Sequence, residues 1–345
     1  MTSQGKLVGM ALPLLVSLTS CGGIVSLSVI DPCDVLGFSG EQNPSFSAAG
    51  VMRAYPMANE AIASIVPLGS LNPPRQVYPT GHMYVIPRNA DPGANTVIAP
   101  ATGRVIRLDQ PEGTDWKIIV QVDTSFYYFL NHVTPFTGVA IGSLVLAGQG
   151  IGRNSGLTGA VDFGVYNWNN PLTGIRNPCA AKSLKHVDSP LKYYPVAAQQ
   201  ALGAKIATSG AATKYGRIDY DESGKLVGNW VRTGSLPIIA PDETLAFAYN
   251  VSNHELRISM GSSLSGGGVY AVQSGAKDFK YVTKAMGQVN YRLFPTGSGD
   301  NYAPRAEFGV LAVQVLSDTR IMVELFPGDF TGTATFTAGA LTYDR

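Results

Sequence analysis

The sequence predicts a mainly β protein, with a small antiparallel β domain followed by an antiparallel β-barrel or sandwich. Three observations lead there. Charged residues make up only 14% of the 345 residues, alongside 39 glycines and 22 prolines. In a chain so rich in turn formers, long amphipathic helical patterns are rare. Short apolar runs of period two recur between turn signals. The net charge is +1 and no Arg/Lys run appears, which leaves no electrostatic basis for nucleic-acid binding.

Taken in order, residues 1–21 read as a bacterial lipoprotein signal. Lys6 is the charge of the leading region, and Leu7 to Leu18 is an apolar run too short to span a bilayer. Leu18-Thr19-Ser20-Cys21 resembles a lipobox, which makes Cys21 the lipidation site. A multiply acylated cysteine is enough for stable anchoring. The alternative is an ordinary secretory signal with a chance cysteine. Gly22 in place of Asp after Cys21 favours outer-membrane sorting. The expected location is therefore the cell envelope, lipid-anchored, at the outer membrane and periplasm. In that oxidising compartment Cys33 and Cys179 form an even pair open to a disulfide, the alternative being two free thiols.

Residues 22–63 read as a loosely packed linker with helical propensity around 48–52 and 58–63. The first β domain is expected over 64–200. It begins with a proline-interrupted ribbon (Pro67, Pro73, Pro74, Pro79) that forbids helix. Strands follow at 81–87, 96–106 (two strands about a Pro-x-x-Gly turn), 116–122, 125–133, 144–146, Ile151 and 161–165. His82, Tyr84 and Ile86 share one strand face. Val161, Phe163 and Val165 share another, which leaves Asp162 on the opposite side as an exposed carboxylate after a Gly-rich loop. His186 and Asp188 read as exposed loop residues, with an extra metal ligand as the alternative.

Residues 201–213 are small and flexible and mark a boundary. Beyond it, over 214–345, short strands repeat at roughly 8–12-residue spacing. Candidates are 215–220, 228–233, 244–251, 255–260, 268–274, 288–294, 308–316, 320–326 and 335–343. Hairpin turns are expected at Asp221–Gly224 and Ser317–Thr319. Trp230, Phe247, Tyr249, Tyr270 and Tyr291 are candidates for barrel core or for a cavity lining. No P-loop, dinucleotide fingerprint, nucleophile elbow or C-x-x-C occurs.

Several of these stretches carry a resemblance. VIAPATGRVIRL resembles the V-x-A-P-x-x-G-x-V segment of the lysostaphin/LytM-like (M23) metallopeptidases. FLNHV resembles their Y-x-H-L strand. LVLAGQGIGRNSGLTGAVDFGV resembles their V-x-x-G-Q-x-I-G … G-x-T-G … H-L-H-F-E-V segment. The three occur in the family's order over residues 64–170. PLGSLNPPRQVYPTGHMY is similar to a divergent branch of the family. YDESGKLVGNWV, LAFAYN and LAVQVLSDTRIMVELFPGDF resemble a β domain found with that branch.

The resemblance implies a zinc site. His82 matches the first ligand, but the Asp expected four residues on is Ile86. Asp162 stands at the second His of H-x-H, and Ala160 at the first. His132 matches the remaining catalytic His. Catalytic zinc takes three protein ligands as a rule. His82, His132 and Asp162 are the candidate metal set if zinc binds, with His132 also the candidate catalytic group. Two outcomes stand. One is a degenerate site without metal, in a binding or scaffolding module for cell-wall peptidoglycan or an envelope protein. The other is a metal-dependent peptidoglycan hydrolase with an altered site.

Overall fold

The computed structural model describes residues 39–73, 76–178, 182–235, 240–265, 267–296, 306–328 and 330–345. All of them fall in one compact unit, Pro32–Arg345. Cys21, Cys33 and Cys179 lie outside the described residues, so the lipid anchor and the disulfide remain expectations from sequence. Among the described residues no helix is long and apolar enough to cross a membrane.

The first body is a ten-stranded sheet. Its strands are β1 (Ile62–Val66), β2 (Met83–Pro87), β3 (Thr96–Ile98), β4 (Gly103–Glu112), β5 (Asp115–Asp123), β6 (Phe126–Pro135), β7 (Leu144–Val145), β8 (Gly150–Asn154), β9 (Val161–Asn167) and β10 (Val187–Asp188). The main order is β1-β2-β9-β6-β5-β4-β7, with β10 on β9 and β8 joining β3 to β6. Alternation along β6 and β9 divides two apolar layers. Phe126, Tyr128, Leu130, Val161, Phe163 and Val165 enter the main core. Tyr127, Phe129 and Tyr166 join a second cluster with Trp168, Ile119 and Val187 on the other face. Each large side chain so buried contributes about 1.5–3 kcal/mol.

Two expectations fail here. The segment before residue 64 is not loosely packed: Met52 and Met57 are 0% and 1% exposed in the main core. Its helical propensity yields only a single 3-10 turn, Asn59–Ala61, because apolar burial outweighs the small propensity differences. The two strands expected about Pro100–Gly103 form, as β3 and β4, and each pairs elsewhere, β3 with β8 and β4 with β5 and β7.

The second body is a closed eight-stranded antiparallel barrel. After the helix α1 (Val196–Gly203) come β11 (Gly228–Arg232), β12 (Thr244–Tyr249), β13 (Leu256–Met260), the short helical turn α2 (Ser262–Ser265), β14 (Gly268–Val272), β15 (Gln288–Pro295), β16 (Gly309–Val315), β17 (Arg320–Pro327) and β18 (Leu341–Asp344). Closure comes from β11 on β18, with Val231 opposite Asp344 and Arg232 opposite Tyr343. A closed barrel has no free edge to protect. Its interior is filled rather than hollow: Trp230, Phe247, Phe279, Tyr291 and Tyr343 are all 0% exposed.

The hairpin at Ser317–Thr319 connects β16 and β17 as expected. Residues 215–220 do not form a strand, and Asp221–Gly224 does not join two strands. They form a seam with the sheet body instead. Gly216, at φ +72°, bridges Leu68 so closely that a Cβ there would run into the Leu68 carbonyl oxygen. The buried Asp221 side chain accepts backbone N–H bonds from Arg176 at 2.7 Å and Asn229 at 2.7 Å. Leu71, from the proline-interrupted ribbon, is buried in the barrel core.

Candidate functional site

The candidate residues meet on the outer face of the sheet. Register places Lys117 opposite Asn131, Asn131 opposite Asp162, and Asp162 opposite Tyr84. One row of side chains thus crosses β5, β6, β9 and β2. His82 sits one residue before β2, its ring edge-on to Tyr84 at 4.9 Å and to Phe129 at 6.1 Å. Gly164 lies beneath Phe129, where any Cβ would collide with the ring. That glycine lets Phe129 lie flat and wall the site.

His132 reaches the same row through a bulge. Trp116 pairs with Val133 and Lys117 with Asn131, so His132 has no opposite number on β5. Its φ is +64°, a left-handed conformation that costs a non-glycine residue about 1–2 kcal/mol. The bulge turns Asn131 and His132 to one side. The Asn131 amide Nδ2 donates to Asp162 Oδ2 at 3.1 Å, and His132 Nε2 stands 3.3 Å from the same oxygen. His82 Nε2 is 3.4 Å from it. His132 Nδ1 meets Asp115 Oδ2 at 3.0 Å.

Asp162 is not the exposed carboxylate that alternation suggested. It is 4% exposed, because β9 is a central strand whose outer face is covered. Burial opposes its ionisation, but His82, His132 and Asn131 outweigh that and hold its pKa below the usual carboxylate value. Burial also opposes the charged form of His132. The hydrogen bond and charge of Asp162, and then Asp115, win and raise its pKa. His82 is dominated by burial, which lowers its pKa despite Asp162.

The structure brings His82, His132 and Asp162 together. Ile86 and Ala160, at positions the resemblance assigns to an Asp and a His, carry no ligand atom. Sequence reasoning missed Asp115, Asn131 and Lys117. Asn131 adjoins His132, but only the bulge puts both on one side. Asp115 left no signal, since it arrives through the β4–β5 turn. Lys117 packs its ammonium over Phe129 at 4.0 Å. His186 and Asp188 are not simply exposed: His186 stacks on Trp168 at 4.7 Å, and Asp188 Oδ2 accepts from the Tyr193 hydroxyl at 2.7 Å.

Does this set fit the zinc that the resemblance implies? Two ligand atoms on a tetrahedral zinc stand about 3.4 Å apart, close to the separations found around Asp162 Oδ2. The buried His82 Nε2 and Asp162 Oδ1 lack hydrogen-bond partners. His132 meets Asp115 at Nδ1 and Asp162 at Nε2, and a carboxylate on the second ring nitrogen is the ordinary partner of a metal-bound histidine. Among the described residues no group of three or more His, Cys, Asp or Glu is arranged to hold a metal ion. With Ile86 in place of the Asp, two of the ligand positions that the resemblance assigns, His82 and Asp162, remain, and the residues do not fit the zinc site it implies.

Neither a protein-family model nor a curated protein matches the sequence. Several solved structures overlap parts of it. Helicobacter pylori Csd3 does so at 24% identity and a TM-score of 0.27, over 35% of this chain and 33% of that one. A peptidase M23 protein from Pseudomonas aeruginosa does so at 19% identity and 0.24, over 35% and 49%. Lysostaphin in solution overlaps at 12% identity and 0.25, over 82% and 91%. The chain spans about a third of the length of Csd3. Overlaps with TM-scores this low assign no activity.

Proposed function

We propose that this chain is a non-catalytic, lysostaphin-like module of the bacterial cell envelope. It is held at the membrane through a lipidated Cys21, and it binds cell-wall peptidoglycan or an envelope protein. The observation that carries this reading is the pairing of Ile86 and Ala160, where the family has an Asp and a His, with a His132 and an Asp162 Oδ2 that are engaged within the protein. A carboxylate oxygen contacted by Asn131, His132 and His82 is already satisfied from within the protein. Ile86 and Ala160 remove the two groups that the family's chemistry needs beyond this set. A hydrolase without them would lose much of its means of activating water and stabilising the developing oxyanion. The half-buried Lys117, Asn131 and Tyr84, with the buried Asp162 between them and His132 beside it, form the surface on which a ligand would lie.

The test is metal analysis of the purified chain, with peptidoglycan co-sedimentation and a cleavage assay on the same sample. The expected result is binding to peptidoglycan or to an envelope protein, with sub-stoichiometric metal and no cleavage. Stoichiometric zinc, lost in both His82→Ala and Asp162→Ala, together with cleavage, would overturn the reading in favour of an altered hydrolase.

A further inference from the structure

The barrel carries a buried charge that the sheet site does not explain. Leu256, Ile258 and Met260 of β13 point into the barrel core, so Arg257 points outward. Yet its side chain is only 5% exposed. Its cross-strand neighbours are Ala248 and Ala271, which leave room for the guanidinium but offer it no charge. Nη1 donates to the Leu256 carbonyl at 3.0 Å, and Nη2 to Glu255 Oε2 at 3.0 Å. Nε–H is buried and has no partner. Glu255 is itself 62% exposed, so this single ion pair is solvent-screened on one side. Buried charges are ordinarily paired and fully hydrogen-bonded.

Arg257 lines a cleft of about 570 Å³ on the barrel. The cleft runs between the turn that joins β12 to β13 and the chain that follows β14. Ala271 and Ala276 contribute apolar lining, with His254 and Gln273 beside them. Asp278, also in the lining, is occupied: it accepts from the Tyr249 hydroxyl at 2.6 Å, and Lys280 Nζ stands 3.6 Å from it. The remaining unmatched group is the Arg257 donor.

We propose that this cleft is a binding site for the carboxylate of a small ligand or peptide chain end, received by Arg257. Nε–H supplies the open bond. The Nη2 bond, now made to Glu255, completes a two-point contact when Glu255 swings out into solvent. Glu255 is then an internal competitor that occupies half of the fork while the cleft is empty. A guanidinium edge matches a carboxylate in this two-point manner, and a lysine ammonium does not.

The experiment is a titration of the full chain with N-acetylglycine, and separately with N-acetylglycinamide, following the arginine Nε–H signals by NMR. The Arg257 signal should move saturably with the acid and not with the amide, while other arginine signals stay still. Glu255→Gln, at an exposed side chain, should bind the acid several-fold tighter. Arg257→Lys should weaken it by about tenfold or more. A still Arg257 signal in the wild-type chain, equal response to acid and amide, or unchanged affinity in folded Glu255→Gln would each overturn the proposal.

Discussion

His132 offers the sharpest test of the site, because two opposing terms act on one residue. It sits at φ +64°, where a side chain costs about 1–2 kcal/mol relative to glycine. Against that stand its bonds to Asp115 and Asp162 at 3.0 and 3.3 Å. Hydrogen bonds to charged groups are each worth about 1.5–3 kcal/mol when buried. With the His132 side chain 15% exposed, the lower end applies. The bonds therefore outweigh the strain, and removing the ring should destabilise the fold whatever replaces it. The replacement then separates the two terms. His132→Ala loses the bonds and keeps the strain, whereas His132→Gly loses both. Glycine gives back about 0.5–1 kcal/mol through its more flexible unfolded chain. His132→Gly should thus be more stable than His132→Ala by about 0.5–1 kcal/mol, with both below wild type by about 2–4 kcal/mol. At His186, which does not share this conformation, the order should reverse, with alanine favoured by about 0.5–1 kcal/mol. Urea unfolding of the four variants reads these differences. An alanine variant at 132 as stable as the glycine one would refute the claim that the bulge is held in a costly conformation by what His132 contacts.

Histidine ring titration by NMR should find His132 still protonated above pH 6.5 and His82 neutral below it, following their raised and lowered pKa values. The His132 contribution to stability is complete below about pH 6.5 and lost as pH rises through its raised value. That of Asp162 is present above about pH 3.9 and lost as pH falls through its lowered one. Burial of His82 acts in the opposite direction to His132, since its unfolded state takes up a proton first as pH falls below about 6.5. Identical titration of the two rings would contradict the cluster. Gly216→Ala should cost about 2–5 kcal/mol, from left-handed strain plus a backbone collision with Leu68. Gly138→Ala, at φ +94° with nothing within 4 Å, should cost only about 1–2 kcal/mol. Equal losses in denaturant melts would mean that the seam gives way freely. Ile86→Asp with Ala160→His should convert the chain to stoichiometric zinc uptake, read by metal analysis, if the sheet places these positions as the resemblance implies.

Much of the fold was legible because period-two alternation is a local signal. Phe126, Tyr128 and Leu130 against Tyr127 and Phe129 show which residues share a face, and the barrel strands repeat that pattern. What alternation cannot show is how deep the other face lies. Asp162 was correctly assigned to the side opposite Val161 and Phe163, but its burial depends on β2 and β6 flanking it and on Phe129 lying over Gly164, all contacts from distant sequence. The same limit hid Asp115 and turned residues 215–220 from an expected strand into a seam, since Gly216 is committed to Leu68 and not to a neighbouring strand. The motifs do carry the grouping of His82, His132 and Asp162, but only as positions. Whether three such groups accept a ligand or satisfy one another depends on which lone pairs remain free. Asn131 and Asp115, residues the motifs do not contain, take up Asp162 Oδ2 and His132 Nδ1, while His82 Nε2 and Asp162 Oδ1 stay open. The case for a binding module over an enzyme therefore rests on the missing Asp and His together with the neighbours that engage His132 and one oxygen of Asp162.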